Sequence, residues 1–260
     1  MTDALPSLFL SHGAPTLSLD PGATGAFWQR LALGLPRPAA VLCVSAHWMT
    51  DEPVASAPLR NDTIHDFYGF PEPLYQLFYS APGAPDLARR AATLLGQAGI
   101  GCNIDGERGL DHGAWVPLRL MYPAADVPTI QLSIQPRRDA AWHYGLGAAL
   151  APLRQEGVLI LASGGAVHNL RALAWEGGVT PAWASEFDDW LASALAEGRK
   201  AELLEWTHRA PHARMAQPSP DHFLPLFVAL GAAGAEARGT RLHDGFTLGS
   251  LSMAAFKFAA

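Results

Sequence analysis

The chain has 260 residues, of which 49% are hydrophobic and 16% charged, and its formal net charge is −6. The acidic balance, with no Lys/Arg cluster, argues against nucleic acid or an anionic membrane as the main partner, and no apolar run approaches the ~20 residues of a membrane span. The length suits one catalytic domain over residues 1–260 better than two with separate cores.

The first predicted strand is Pro6-Ser-Leu-Phe-Leu-Ser-His12-Gly13. With no cationic segment before an apolar run, no secretory leader is expected. A Gly/Pro/Ser loop follows, and Ala23–Leu35 reads as a helix. The run Ala39-Ala-Val-Leu-Cys-Val-Ser-Ala-His47-Trp48, bounded by Pro36 and Pro38, reads as a fully buried strand. Its Cys43 and the distant Cys102 have no metal or redox spacing, so a reducing, cytoplasmic setting is expected. Residues 49–73 form a long polar and aromatic stretch without periodicity, the mark of a functional loop.

Asp86–Ala98 has helical spacing with Asp86 as its N-cap. Cys102–Asp105 is a short strand candidate, and Gly109–Pro117 is a turn entering a helix near Trp115. Val127–Ile134 alternates as a strand does, and Asp139–Glu156 is a helix. Next comes a strand from Gly157, ending in a Gly-Gly turn with His168 just beyond it. Helices are predicted at Pro181–Glu197, Lys200–His208 and Asp221–Gly231, the last with Asp221 near its N-cap. His212–Pro220 reads as irregular, and Gly249–Phe258 as a final strand. Strands alternating with helices predict a three-layer α/β/α fold around a central, mostly parallel or mixed sheet.

In such sheets chemistry collects beyond the carboxyl ends of the strands. His12, His47 and His168 all follow apolar strands, His112 sits in a glycine-bounded turn, and His222 opens a helix. Singly, each is an ordinary core or rim histidine. Together they predict a shared metal site, since neutral imidazole is the commonest side-chain ligand. His65 lies in the aromatic loop, while His143, His208, His212 and His243 read as structural or surface groups. Trp48 and Trp115 are candidates for a pocket wall or for core filling. A nucleophile elbow, a dinucleotide fingerprint, a P-loop and a zincin motif are all missing from the sequence.

Six segments carry a family resemblance: Ser11-His-Gly-Ala-Pro15, Val44-Ser-Ala-His-Trp48, Thr63-Ile-His-Asp-Phe-Tyr-Gly-Phe-Pro71, Leu110-Asp-His-Gly-Ala-Trp115, Ser163-Gly-Gly-Ala-Val-His-Asn-Leu170 and Asp221-His-Phe-Leu-Pro-Leu226. In this order they resemble the class III extradiol ring-cleavage dioxygenases, in the DOPA 4,5-dioxygenase-like branch. More distantly the chain is similar to the catalytic subunit of protocatechuate 4,5-dioxygenase.

The resemblance implies a non-haem Fe(II) site, which zinc can fill instead. It makes His12, His47 and His222 metal ligands. His168 is a further ligand, a base, or both, and His112 the second catalytic histidine. The substrates implied are a catechol and O2, and the product is a ring-opened semialdehyde. His168 is assigned as the base that takes a catechol proton, and His112 as the acid. The branch carries His-Pro before its last ligand where this chain has Gln217-Pro218, which puts a substrate or supporting contact in question. The loop around His65 and Phe67–Phe70 is expected to close over the pocket. Two other readings are a zinc-dependent hydrolase on the same histidines and a non-catalytic interaction protein on the same fold. Assembly into a homo-oligomer is left open by the sequence.

Overall fold

The structure, a computed structural model, describes residues 4–259. Residues 1–3 and 260 of the expected domain lie outside the described residues. In chain order the elements are β1 (Ser7–Ser11), α1 (Gly22–Gly34), β2 (Ala40–Met49), β3 (Val54–Ser56), α2 (Glu72–Tyr75), α3 (Pro85–Gln97) and β4 (Asn103–Asp105). There follow α4 (His112–Met121), β5 (Thr129–Ile134), α5 (Ala140–Leu150), α6 (Pro152–Gln155), β6 (Val158–Gly164) and α7 (Ala182–Glu197). The chain then runs through α8 (Lys200–Leu204), α9 (Trp206–Arg209), α10 (Ala213–Ala216) and α11 (Leu224–Ala233). It ends in β7 (Arg238–His243), β8 (Phe246–Thr247), β9 (Leu251–Ser252) and β10 (Ala255–Ala259).

Eight of these strands form one sheet in the order β4-β3-β5-β2-β6-β1-β10-β7. Its middle, β5-β2-β6-β1, is parallel. The flanking strands β3 and β10 join antiparallel, and β7 closes the edge antiparallel to β10. Parallel strands covered on both faces are apolar throughout rather than alternating, which explains the unbroken runs in β2 and β6. Along each strand, successive side chains serve opposite layers. Val41, Cys43, Leu159 and Leu161 pack with Trp28 of α1 and Trp115 of α4. Leu42, Val44 and Ile160 pack with Leu95 of α3 and Leu146 of α5 on the other face. There Phe9 and Ala162 also meet Phe187 of α7 and Phe227 of α11. The three-layer α/β/α fold is therefore as the sequence predicts.

Several local expectations need correction. Asp86 is inside the first turn of α3, where it pairs with Arg89, and Ala84 is the capping residue. Helix α4 begins at His112 rather than near Trp115, because the Asp111 side chain accepts the Ala114 N–H. The 139–156 helix breaks at Ala151 into α5 and α6, with Pro152 starting the second piece. Pro181–Glu197 holds as α7, whereas Lys200–His208 divides into α8 and α9. The segment 212–220 contains the helical turn α10. The final strand is two, β9 and β10, and the loop 49–73 contains β3. Edge strand β7, polar and half exposed, was not foreseen; His243 lies on it, stacked on Phe27 at 4.7 Å. The alternation read in 127–134 is not burial alternation, because all six residues of β5 are buried.

Candidate metal centre

Strands β2 and β1 flank β6, so the carboxyl ends of these three neighbours share one rim. At that rim β2 leaves its ladder. Val44 pairs with Leu132 and Met49 with Ile134, so five residues on β2 advance against two on β5. This bulge re-aims a side chain out of a regular ladder, and His47 is the side chain it delivers. His12 follows β1 directly, and its N–H donates to the Gly164 carbonyl at 3.0 Å. From the last residue of β6 the chain turns through Gly164-Gly165, and the Gly165 N–H donates to the His222 carbonyl at 2.8 Å. A β-carbon on Gly164 would lie 2.1 Å from that carbonyl oxygen. The bare glycine thus lets the segment before α11 approach the strand end, and His222 arrives beside His12 and His47.

Imidazole Nε2 atoms converge at this point. His47 Nε2 lies 3.0 Å from His12 Nε2 and 3.2 Å from His222 Nε2. Behind each ring, Nδ1 faces an oxygen that favours a proton there. The Ser163 hydroxyl donates its one proton to the Gly113 carbonyl, so at 2.9 Å from His12 it accepts from Nδ1–H. His222 Nδ1–H donates to Asp221 Oδ2 at 2.5 Å. His47 Nδ1 faces Asp66 Oδ2 at 3.4 Å. Each Nε2 therefore presents a lone pair to the others. Lone pairs facing one another at 3.0 and 3.2 Å repel unless a cation sits among them, and the three donor nitrogens all lie within 4.8 Å of one another. Burial first, and the neighbouring rings second, hold His12 and His47 well below the usual imidazole range. Neutral rings are the form a metal needs. The donor set thus fits a resident metal ion.

The other two histidines stand around this trio. His168 stacks flat on His222, with ring centroids 3.4 Å apart and planes within 5°. Its side chain is outside the convergent set His12, His47 and His222. Burial and the His222 ring push it down to about 3. His112 packs against His47 at 3.9 Å between centroids, and its Nδ1 is 3.0 Å from Asp66 Oδ1. That contact is close but not aligned as a hydrogen bond; the backbone N–H of His112 takes Asp66 Oδ1 instead, at 2.9 Å. Asp66 thus touches both His47 and His112. Burial alone would raise its carboxyl, but the His112 imidazole and backbone N–H beside it outweigh that and lower it. His47, Asp66 and His112 also lie close enough to hold an ion. The Nε2 lone pairs, however, point to the other face of His47.

Asp66 carries no role in the sequence reading, although it stands between His65 and Phe67 in a matching segment. A carboxylate placed among aromatics in a loop was the available signal. Asp221, expected to cap its helix, instead holds His222, and helix α11 starts at Leu224. Burial would raise the Asp221 carboxyl, yet its bonds to His222 and Ser219 hold it well below the usual range. Asp111, fully buried, accepts from Ser45 Oγ at 2.6 Å and Gln131 Nε2 at 2.8 Å, and so ties the start of α4 to β2 and β5.

A cavity of about 400 Å³ opens above the histidines. All five line it, with Phe67, Tyr68 and Phe70 of the 49–73 loop on one side. His65 does not; its Nε2 bonds the Leu77 carbonyl at 3.0 Å. Trp48 and Trp115 are not in the wall either. Trp48 lies under Arg108, and Trp115 donates to the Ile64 carbonyl beneath the loop. Gln217 is buried and holds the Gly165 and Ala166 carbonyls at 2.8 and 3.0 Å, so it braces the turn after β6 rather than lining the cavity. His143 and His212 are structural, the first on Asp139 and Gln135 and the second on Glu186.

The chain is similar over nearly its whole length to proteins of one family. A family described as the catalytic LigB subunit of aromatic ring-opening dioxygenase matches residues 7–256. The 4,5-DOPA dioxygenase extradiol of Beta vulgaris is 46% identical over 259 residues, 98% of this chain and 96% of that one. The protein of the same name from Escherichia coli K12 is 42% identical, covering 96% of this chain and 93% of its own. The crystal structure of an uncharacterized protein from Escherichia coli K12 has a TM-score of 0.80 at 37% identity, covering 97% of this chain and 99% of that one. Measured by motif order, fold and identity over nearly its whole length, the chain belongs to the family of catalytic LigB subunits of aromatic ring-opening dioxygenases.

Proposed function

We propose that this protein is an extradiol dioxygenase in which Fe(II) at His12, His47 and His222 supports ring opening of a catechol, DOPA or a related one, by O2. The observation that carries this reading is the convergence of three lone-pair nitrogens on the floor of an apolar cavity, with two further histidines beside them. Iron(II), when bound, supplies open positions for the diol oxygens and O2 and a path for electrons between them.

The chain's own residues do the rest. His168, held neutral by burial and its stack on His222, accepts the proton a catechol loses on binding. Contact between His168 and the metal is a second role compatible with that stack. His112, whose Nδ1 lies 3.0 Å from the Asp66 carboxylate, is the proton donor. Phe67 and Phe70 exclude water from one side of the reacting ring. Residues 1–260 act as one catalytic domain. No described helix is long and apolar enough to cross a membrane, and two free cysteines fit a cytoplasmic setting.

Metal preference separates this reading from a zinc hydrolase on the same ligands. Protein loaded with Fe(II) should consume O2 with a catechol, whereas zinc-loaded protein should not. Hydrolysis of ester or amide substrates by the zinc form, with no O2 uptake by the iron form, would favour the hydrolase.

A further inference from the structure

Two buried serines, Ser45 and Ser163, take no part in the chemistry above. They are register partners on the neighbouring strands β2 and β6, and both are fully buried. A buried hydroxyl is costly unless it is hydrogen-bonded, and each of these bonds twice, in the same pattern. Ser163 Oγ accepts from His12 Nδ1–H at 2.9 Å and donates to the Gly113 carbonyl. Ser45 Oγ accepts the His47 backbone N–H at 3.2 Å and donates to Asp111 Oδ1 at 2.6 Å. Each serine thus touches a residue of the convergent trio on one side and the start of α4 on the other.

The sequence of α4 is suited to receive them. Pro117 lies inside this helix. Proline has no N–H, so the Gly113 carbonyl lacks the donor that a helix ordinarily supplies four residues on. Ser163 supplies one. A β-carbon on Gly113 would lie 2.5 Å from Ser45 Oγ, so the glycine lets the turn settle onto the serines. His112 stands between Asp111 and Gly113, the two residues held in this way, and its ring packs on His47 at 3.9 Å between centroids.

We infer that Ser45 and Ser163 are positioning residues that couple the metal ligands to the placement of His112. A metal that orders His12 and His47 then also tightens the first turn of α4. Such coupling is reciprocal, so breaking the link weakens metal binding. It rests on the metal centre of the reading above and not on ring opening.

The test compares zinc-loaded with metal-free full-length protein by amide hydrogen exchange, and measures zinc affinity by chelator competition. In the wild type, zinc should slow exchange at the Ala114, Trp115 and Val116 amides at least tenfold more than in α3. Helix α3 packs on the opposite face of the sheet and reports general stabilisation by the ion. Ser163→Ala removes both of its bonds with little change of shape. It should weaken zinc binding about tenfold and cut the extra slowing in α4 to less than threefold. Ser45→Ala should shift both readouts in the same direction. Ser163→Ala protein that binds zinc within twofold of the wild type and keeps the extra slowing would overturn the inference. Wild-type protein that binds zinc with equal slowing in α4 and α3 would overturn it too, whether or not the variants fold, and would leave the metal centre standing. Wild-type protein that binds no metal would remove the metal centre and this link together.

Discussion

His47 shows how one residue serves two purposes here. Its Nε2 joins the convergent trio, while its Nδ1 faces the Asp66 carboxylate. A carboxylate behind a ligating imidazole fixes its orientation and raises its basicity. Replacing Asp66 with Asn keeps the shape but removes the charge that both His47 and His112 face. A 10- to 100-fold loss in kcat/KM, with weaker metal binding and an unchanged far-UV spectrum, is expected. Steady-state kinetics with metal analysis checks this; activity within twofold of wild type would refute the bridging role of Asp66. All five histidines that line the cavity were readable in the sequence, because each stands at a strand end, a turn or a helix start. Asp66 was not, because only folding sets its loop against β2 and α4. Asp221 was misread for a related reason. An acidic residue before a helix resembles a cap, and only the position of α11 shows that it serves its neighbour instead.

At the scale of elements, the site depends on three local devices: the bulge in β2, the Asp111 cap of α4 and the Gly164-Gly165 turn after β6. The turn is the most sensitive, since a β-carbon at Gly164 meets the His222 carbonyl at 2.1 Å. Gly164→Ala must move either the strand end or the segment bearing His222. The expected result is a folded protein that loses about 1–3 kcal/mol of stability and at least tenfold in metal affinity. Urea unfolding and a chelator competition measure the two. An alanine variant that binds metal as tightly as wild type would contradict the turn's role in placing His222. Gly113 plays a similar part for α4, where a β-carbon would crowd Ser45 Oγ and His47. The long strands and helices were legible because apolar runs and periodicity survive in sequence. Strands β3 and β7 were not, being short or polar edge pieces whose pairing is decided by their neighbours.

For the molecule as a whole, one parallel-centred sheet with helices on both faces leaves its strand ends as a preformed rim, and the histidines lie there. The class of fold followed from the alternation of strands and helices. What the sequence hid was the closure of the cavity, because residues 170–175 and 248–251 meet only in three dimensions. Burial of neutral histidines also ties stability to pH. His143, away from the site, accepts the Gln135 N–H and bonds the Asp139 carbonyl, and burial pushes it down to about 4. Its folded value is below its unfolded one, so the unfolded chain binds the extra proton first. Stability from this group is therefore full above about pH 6.5 and is lost as pH falls toward 4. Between pH 7 and 5 the loss is about 1–2 kcal/mol. His143→Gln should flatten the pH dependence of the urea midpoint by that amount; an unchanged slope would mean that His143 is not held neutral.

Oxygen uptake is the direct test of ring opening by this protein. Protein reconstituted anaerobically with Fe(II) is mixed with catechols that include DOPA and protocatechuate, and the absorbance of a yellow ring-opened product is followed. His47→Ala, which should lose stoichiometric metal, is the control. The wild type should consume O2 in step with product colour, and the variant should do neither. Wild-type protein holding one iron per chain and consuming no O2 with any catechol would contradict it.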